Sequence, residues 1–341
     1  MSKARQLADL GNQVDDGAIT GTNMVINGGM TVAQREDGTG LTASGYHGPD
    51  RFKFNQSGRD QFQVSVSQDS DGPDGYSNSW KLQTTTAENA IDSTEYVICQ
   101  HRIEAQNLQH LSYGNSNAEQ VTLSFWVKSS IAATYSVYLY ASDGVEIIGS
   151  AYTINTASTW EYKTVTFAGN TSSAINHDNG AGVDIGFILA AGSGMRTTSN
   201  TSWTAYANDK LAYGHTDAAN AVMTTANATW QITGVCLNVG DSAIDFPHQS
   251  YGDELQRCMR YYINLDTGNY YGLLPTSGDG YRHWAQVLPV SMRASPSVTG
   301  VGGNGVISNS AGTNTTLNIN SNLGNSTSSM YFTSFKLDAE L

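Results

Sequence analysis

Val121-Thr-Leu-Ser-Phe-Trp-Val-Lys-Ser129 is the stretch that decides the fold class. Val121, Leu123, Phe125 and Val127 alternate with Thr122, Ser124, Trp126 and Lys128. In an extended chain successive side chains leave on opposite sides, so this order makes one apolar face and one polar face. A helix would scatter the same apolar residues around its circumference. The alternation recurs at Phe62, Val64 and Val66; at Tyr135, Val137 and Leu139; at Val183, Ile185, Phe187 and Leu189; and at Trp230 and Ile232, followed past Gly234 by Val235, Leu237 and Val239. Asp71-Gly-Pro-Asp-Gly75, Asp143-Gly144 and Asp178-Asn-Gly180 supply turns between these runs, because Gly, Asn, Asp and Pro adopt the backbone angles that turns require. Many such strands without a βαβ rhythm predict an all-β fold, a jelly-roll β-sandwich over residues 23–249. A short helical insertion is expected at Ile103–Leu111.

Composition narrows the possible partners. The 341 residues carry 17 Lys+Arg against 30 Asp+Glu, a net charge of −13, and leave room for more than one domain. An acidic surface repels phosphate backbones and anionic lipid, so neither a nucleic-acid partner nor a membrane-surface role is expected. Membrane insertion is not expected either, since no window approaches the roughly 18 consecutive apolar residues that a span needs. The opening Met1-Ser-Lys-Ala-Arg-Gln-Leu7 lacks the apolar core of a signal peptide, which predicts a protein made and kept in a cytoplasm. Cys99, Cys236 and Cys258 stand far apart without a CxxC pair and are expected to be small buried apolar residues.

The flanking regions differ from the body. In residues 1–22, Leu7, Leu10 and Val14 fall at helical spacing while Gly11 and Gly17 limit any helix to a few turns. An isolated helix that short is unstable in water, so the segment is expected to oligomerise or to dock on another protein. At residues 250–263, Ser250 with Asp253 forms a capping box, and Leu255, Cys258, Met259 and Tyr262 follow at i, i+3, i+4 and i+7. This predicts a helical connector from about Tyr251 to Tyr261 that lays one face on the sandwich. Residues 264–341 return to strand signals at Trp284, Gln286 and Leu288 and at Val306, Leu317, Ile319, Tyr331, Phe332, Phe335 and Leu337. They predict a second, smaller β-sandwich, distal in position, whose last strand is Met330–Leu337.

Several segments together resemble a family of virion proteins of tailed phages, especially phages of marine bacteria. They are Asn23-Met-Val-Ile-Asn-Gly-Gly-Met30 with Pro49-Asp-Arg-Phe52, Val121–Ser129, Thr159-Trp-Glu-Tyr-Lys-Thr-Val-Thr-Phe167, Trp230-Gln-Ile-Thr-Gly-Val235, Phe246-Pro-His-Gln-Ser-Tyr-Gly-Asp-Glu-Leu255 and Cys258-Met-Arg-Tyr-Tyr262. Val287–Val298 and Phe335–Leu341 resemble the C-terminal domain of the same proteins. The resemblance implies a tail fibre or related appendage with a carbohydrate-binding-module-like jelly roll, located in the virion. The extended shaft of a long fibre is missing, so a short fibre, an adaptor and a head-mounted knob all remain open.

The residue patterns do not indicate catalysis. His47, His101, His110, His177, His215, His248 and His283 are scattered, and HExxH, GxSxG and P-loop patterns are absent from the sequence. No enzyme and no required cofactor are therefore expected. Asp69, Asp71 and Asp74 could hold a structural calcium, although their spacing departs from an EF-hand loop. Recognition of a sugar needs aromatic faces beside amides and carboxylates. Tyr270, Tyr271, Tyr281 and Trp284 concentrate those groups in the distal domain and are the expected ligand-binding residues.

The function expected from all this is non-catalytic attachment to host surface glycan by a phage appendage. Its partners would be other phage structural proteins, met through the N-terminal segment, and two further copies of the chain in a homotrimer. The alternatives are a purely structural head fibre, capsid decoration or adaptor, and, less favoured, a polysaccharide depolymerase.

Overall fold

The computed structural model describes residues 23–58, 60–265, 270–271, 281–301, 309–312, 314–322, 331–332 and 334–341. The chain divides between Gln249 and Ser250 into two compact units.

The first unit is a β-sandwich of jelly-roll type. Its strands are β1 (Gly38–Leu41), β2 (Gly45–Tyr46), β3 (Phe52–Ser57), β4 (Gln63–Asp69), β5 (Ser79–Thr86), β6 (Tyr96–Glu104), β7 (Val121–Ser129), β8 (Thr134–Ala141), β9 (Glu146–Thr153), β10 (Glu161–Phe167), β11 (Ala181–Ala191), β12 (Arg196–Thr197), β13 (Thr204–Ala205), β14 (Ala212–Tyr213) and β15 (Thr229–Val239). One sheet runs β1-β4-β5-β15-β7-β10 and the other β13-β9-β8-β11-β6-β3-β2. The rows read from the sequence are the inner faces: Val121, Leu123, Phe125 and Val127 join Tyr135, Val137, Leu139, Ile185, Phe187, Trp230 and Ile232 in one core. Phe125 and Phe187 meet edge to face across the sandwich at 4.9 Å. Burying side chains of this size contributes roughly 1.5–3 kcal/mol each. Ile103 and Glu104 complete β6, so the expected helical insertion is a 3-10 helix beginning two residues later, Ala105–Leu111.

Both described ends of this unit fasten to one bulge. β15 loses register with β7 between Thr233 and Cys236. There Asn23 donates to the Val235 carbonyl at 2.9 Å, while its Oδ1 accepts the Leu237 N–H at 3.0 Å. Gly28 has no room for a side chain, since a Cβ would lie 2.1 Å from the Val235 oxygen. On the same bulge Gly234 adopts φ +63° beneath the Tyr76 ring. Tyr76 packs in turn on Phe246 at 5.4 Å and on His248 at 5.2 Å.

The second unit begins with the helix Tyr251–Met259. Ser250 Oγ accepts the Asp253 N–H at 3.2 Å and donates to the Asp253 carboxylate at 2.7 Å, which caps the helix as its sequence predicts. The helix stops two residues before the expected end. Its Met259 packs against the cluster of Ile263, Leu288, Met292, Phe335, Leu337 and Ala339, the core of the second unit. The strands are β16 (Tyr262–Leu265), β17 (Tyr270–Tyr271), β18 (Tyr281–Val287), β19 (Ser297–Val301), β20 (Asn309–Gly312), β21 (Thr316–Asn322), β22 (Tyr331–Phe332) and β23 (Ser334–Asp338). They pair antiparallel as β16-β23-β19, β17-β22 and β18-β21-β20. The final strand expected from Met330 to Leu337 is thus represented by β22 and β23.

Candidate functional site

The aromatic residues singled out from the sequence lie on paired strands. Tyr270 pairs with Phe332 and Tyr271 with Tyr331; Tyr281 pairs with Asn322 and Trp284 with Ile319. Their side chains, like the whole segment 1–22, lie outside the described residues.

In the acidic turn at Asp69–Asp74 two of the three carboxylates are taken by side chains from other strands. Asp69 takes the Lys81 ammonium at 2.6 Å. Asp71 pairs with Lys128 and accepts the Trp160 indole N–H at 3.3 Å, and Lys128 lies over the Trp160 ring at 5.0 Å. These groups cross-link the outer face of the six-stranded sheet. Among the described residues no three His, Cys, Asp or Glu side chains group as metal ligands.

The outer face of the seven-stranded sheet holds a cleft of about 240 Å³. Strand register builds it. Arg102, Asp184 and Tyr140 align across β6, β11 and β8, and Gln100, Gly186 and Tyr138 form the neighbouring row. A Cβ on Gly186 would sit 2.1 Å from the Tyr138 ring, so the bare backbone there is what lets the ring lie down across β11. Tyr96, Ile98 and Asn55 complete the sheet side.

The segment from Ser193 to Tyr213 packs on this face, with Met195, Leu211 and Ala212 against Ile98, Tyr138, Ile147 and Ile188. It brings Tyr206, 37% exposed, to the rim, where its ring meets Tyr140 edge to face at 5.4 Å. Six of the ten lining residues are therefore apolar or aromatic, and the other four are two amides, a guanidinium and a carboxylate.

The charges within the cleft are partly matched. Asp184 is 3% exposed; its Oδ2 accepts Gln100 Nε2 at 2.7 Å and Arg102 Nε at 3.1 Å, while Oδ1 has no donor among the described residues. Burial pushes this carboxyl up to about 6 against the opposing pull of Arg102 and Lys53. Burial likewise raises the Tyr138, Tyr140 and Tyr206 phenols, so all stay neutral donors. Flat neutral rings beside fixed amide and charged groups can cover the C–H face of a sugar and hydrogen-bond its hydroxyls.

These residues were not singled out in the sequence. The available signal was in β11, where Asp184 and Gly186 interrupt the row Val183, Ile185 and Phe187 from the opposite face.

Comparison with known proteins gives fold likenesses only. No family model matches the chain, and no curated protein matches it. Among solved structures, a family 11 carbohydrate-binding module of a cellulosomal cellulase of Clostridium thermocellum is 12% identical, covering 63% of this chain and all of that one at a TM-score of 0.30. A family 30 carbohydrate-binding module is 8% identical, covering 64% of this chain and 88% of that one at 0.32. The enzymatically active domain of bacteriophage CBA120 tailspike protein 4 is 13% identical at 0.33; the match covers 56% of this chain and 19% of the tailspike chain.

Proposed function

We propose that this protein binds glycan without cleaving it, as an appendage protein of a tailed-phage virion, and that the cleft on the seven-stranded sheet is where the sugar sits. The observation that carries the reading is the lining itself: Tyr96, Tyr138, Tyr140 and Tyr206 around Asn55, Gln100, Arg102 and Asp184. Its size suits a segment of a longer chain, since it falls below the roughly 300–1,000 Å³ of pockets that enclose a whole ligand. Acid–base hydrolysis of a glycosidic bond uses two carboxyl groups flanking it. Among the described residues the cleft lining supplies Asp184 alone, already bonded to Gln100 and Arg102.

The virion part of the proposal rests on the sequence resemblance of residues 23–341. Attachment in several copies, through trimerisation of segment 1–22, would multiply weak contacts by about 10²–10⁴ where the geometry lets them engage together. The test is retention of the purified chain on immobilised polysaccharides, together with competition against virions for host cells. Binding without release of reducing ends supports the proposal. Absence of retention on every polysaccharide, or release of reducing ends, overturns it.

A further inference from the structure

Resting on that reading, we propose that the saccharide taken by the cleft is anionic, its acidic substituent held between the outer guanidinium nitrogens of Arg102 and the ammonium of Lys53. Lys53 stands on β3 directly opposite Gln100 of β6, and so borders the row that carries Tyr138. Its ammonium sits 5.7 Å above the Tyr46 ring, which fixes its position without satisfying any N–H donor. Among the described residues no carboxylate pairs with it, and it is close enough to Arg102 and Asp184 for both charges to act on it. Arg102 commits only Nε, to Asp184 Oδ2. Its two terminal nitrogens find no acceptor among the described residues, although the residue lines the cleft.

Two cations thus stand near one buried carboxylate, Arg102 within the cleft lining and Lys53 on the neighbouring strand beside it. Elsewhere in the same unit Lys81, Lys128, Lys163 and Arg196 each have a carboxylate of their own, in Asp69, Asp71, Glu161 and Asp217. Lys210 of this unit likewise has no carboxylate among the described residues and reaches only Ser199 Oγ at 3.4 Å, but in a chain of net charge −13 two cations sharing one carboxylate are uncommon. A carboxylate or sulfate ester on a sugar ring offers the planar or tetrahedral oxygens that a guanidinium fork and an ammonium take together. The excess negative charge elsewhere does not forbid this, because at physiological salt it is screened beyond about 8 Å.

The probes are trigalacturonate, its methyl ester, and a sulfated galactan oligomer, titrated calorimetrically into the full chain and into Lys53→Gln and Arg102→Gln. Lys81→Gln on the opposite sheet is the control, and thermal melting checks that each variant is folded. The expected result is binding of trigalacturonate or of the sulfated oligomer that weakens about tenfold or more in Lys53→Gln, with the methyl ester bound no better than by that variant. Which of the two acids binds identifies the substituent. Equal affinity for trigalacturonate and its ester, or binding of neutral glycans only, overturns the inference and leaves glycan binding in place. Absence of binding to any saccharide, acidic or neutral, overturns both.

Discussion

The outer face of the six-stranded sheet closes on itself. Lys81 and Lys128 are neutralised by Asp69 and Asp71, Trp126 tilts against Tyr162 at 5.3 Å, and Trp160 is covered by the Lys128 ammonium. On the seven-stranded sheet the same kinds of residue are matched only in part. Tyr96, Tyr138, Tyr140 and Tyr206 line a cleft, Tyr140 and Tyr206 touching only edge to face, while a carboxylate oxygen lacks a donor and Lys53 lacks a carboxylate among the described residues. What separates the faces is glycine and loop placement. Gly186 lets Tyr138 lie flat, and the Ser193–Tyr213 segment walls one side without filling the space.

That contrast can be broken or sharpened by experiment. The largest effect is expected from pH acting on Asp184. Its folded value of about 6 lies above the ordinary 3.8, so the stabilisation it gives is present below pH 4 and is lost as pH rises through 6. Asp184→Asn removes this loss: its stability relative to the parent should improve between pH 4 and 7 by as much as about 3 kcal/mol. Chemical denaturation at a series of pH values measures this, and a pH-independent gap would show that the carboxyl is not buried as described. His215 works in the opposite sense. Burial pushes it down to about 4, so its contribution is present above 6.5 and lost as pH falls through 4, in parent and variant alike.

Next in size, Gly186→Val should force Tyr138 off β11 at a cost of about 1–3 kcal/mol and abolish glycan retention. A variant that melts and binds like the parent would refute the flat-ring geometry. Tyr140→Ala should weaken glycan binding by roughly tenfold, equivalent to about 1.4 kcal/mol, while Trp126→Ala on the closed face leaves it unchanged. If Tyr271→Ala and Trp284→Ala abolish binding and Tyr140→Ala does not, the second unit holds the site. The smallest effect belongs to the closed face: Lys128→Gln should change stability by less than about 1 kcal/mol, as for other part-exposed pairs.

The sandwich was legible in the sequence because burial on one side of a strand leaves a local, period-two trace. Leu123 and Phe125 reveal their face without knowledge of any partner strand. The cleft left no such trace. Arg102, Tyr140 and Asp184 are outward members of three strands, and only the register of β6, β11 and β8 brings them together. Tyr206 and Leu211 arrive from a loop whose course no periodicity predicts. The segments that carry the family resemblance prove to be scaffold where they are described: Asn23 and Gly28 grip β15, and Phe246 seals Tyr76.

That grip also bears on where a mechanical load would go. Because Asn23 bonds to the Gly234–Leu237 bulge and Phe246 packs on the Tyr76 ring that covers Gly234, tension applied between the two ends of the sandwich converges on one spot. The seven-stranded sheet lies off that path. Tension on the chain would therefore strain the anchor and leave the cleft of the seven-stranded sheet undeformed.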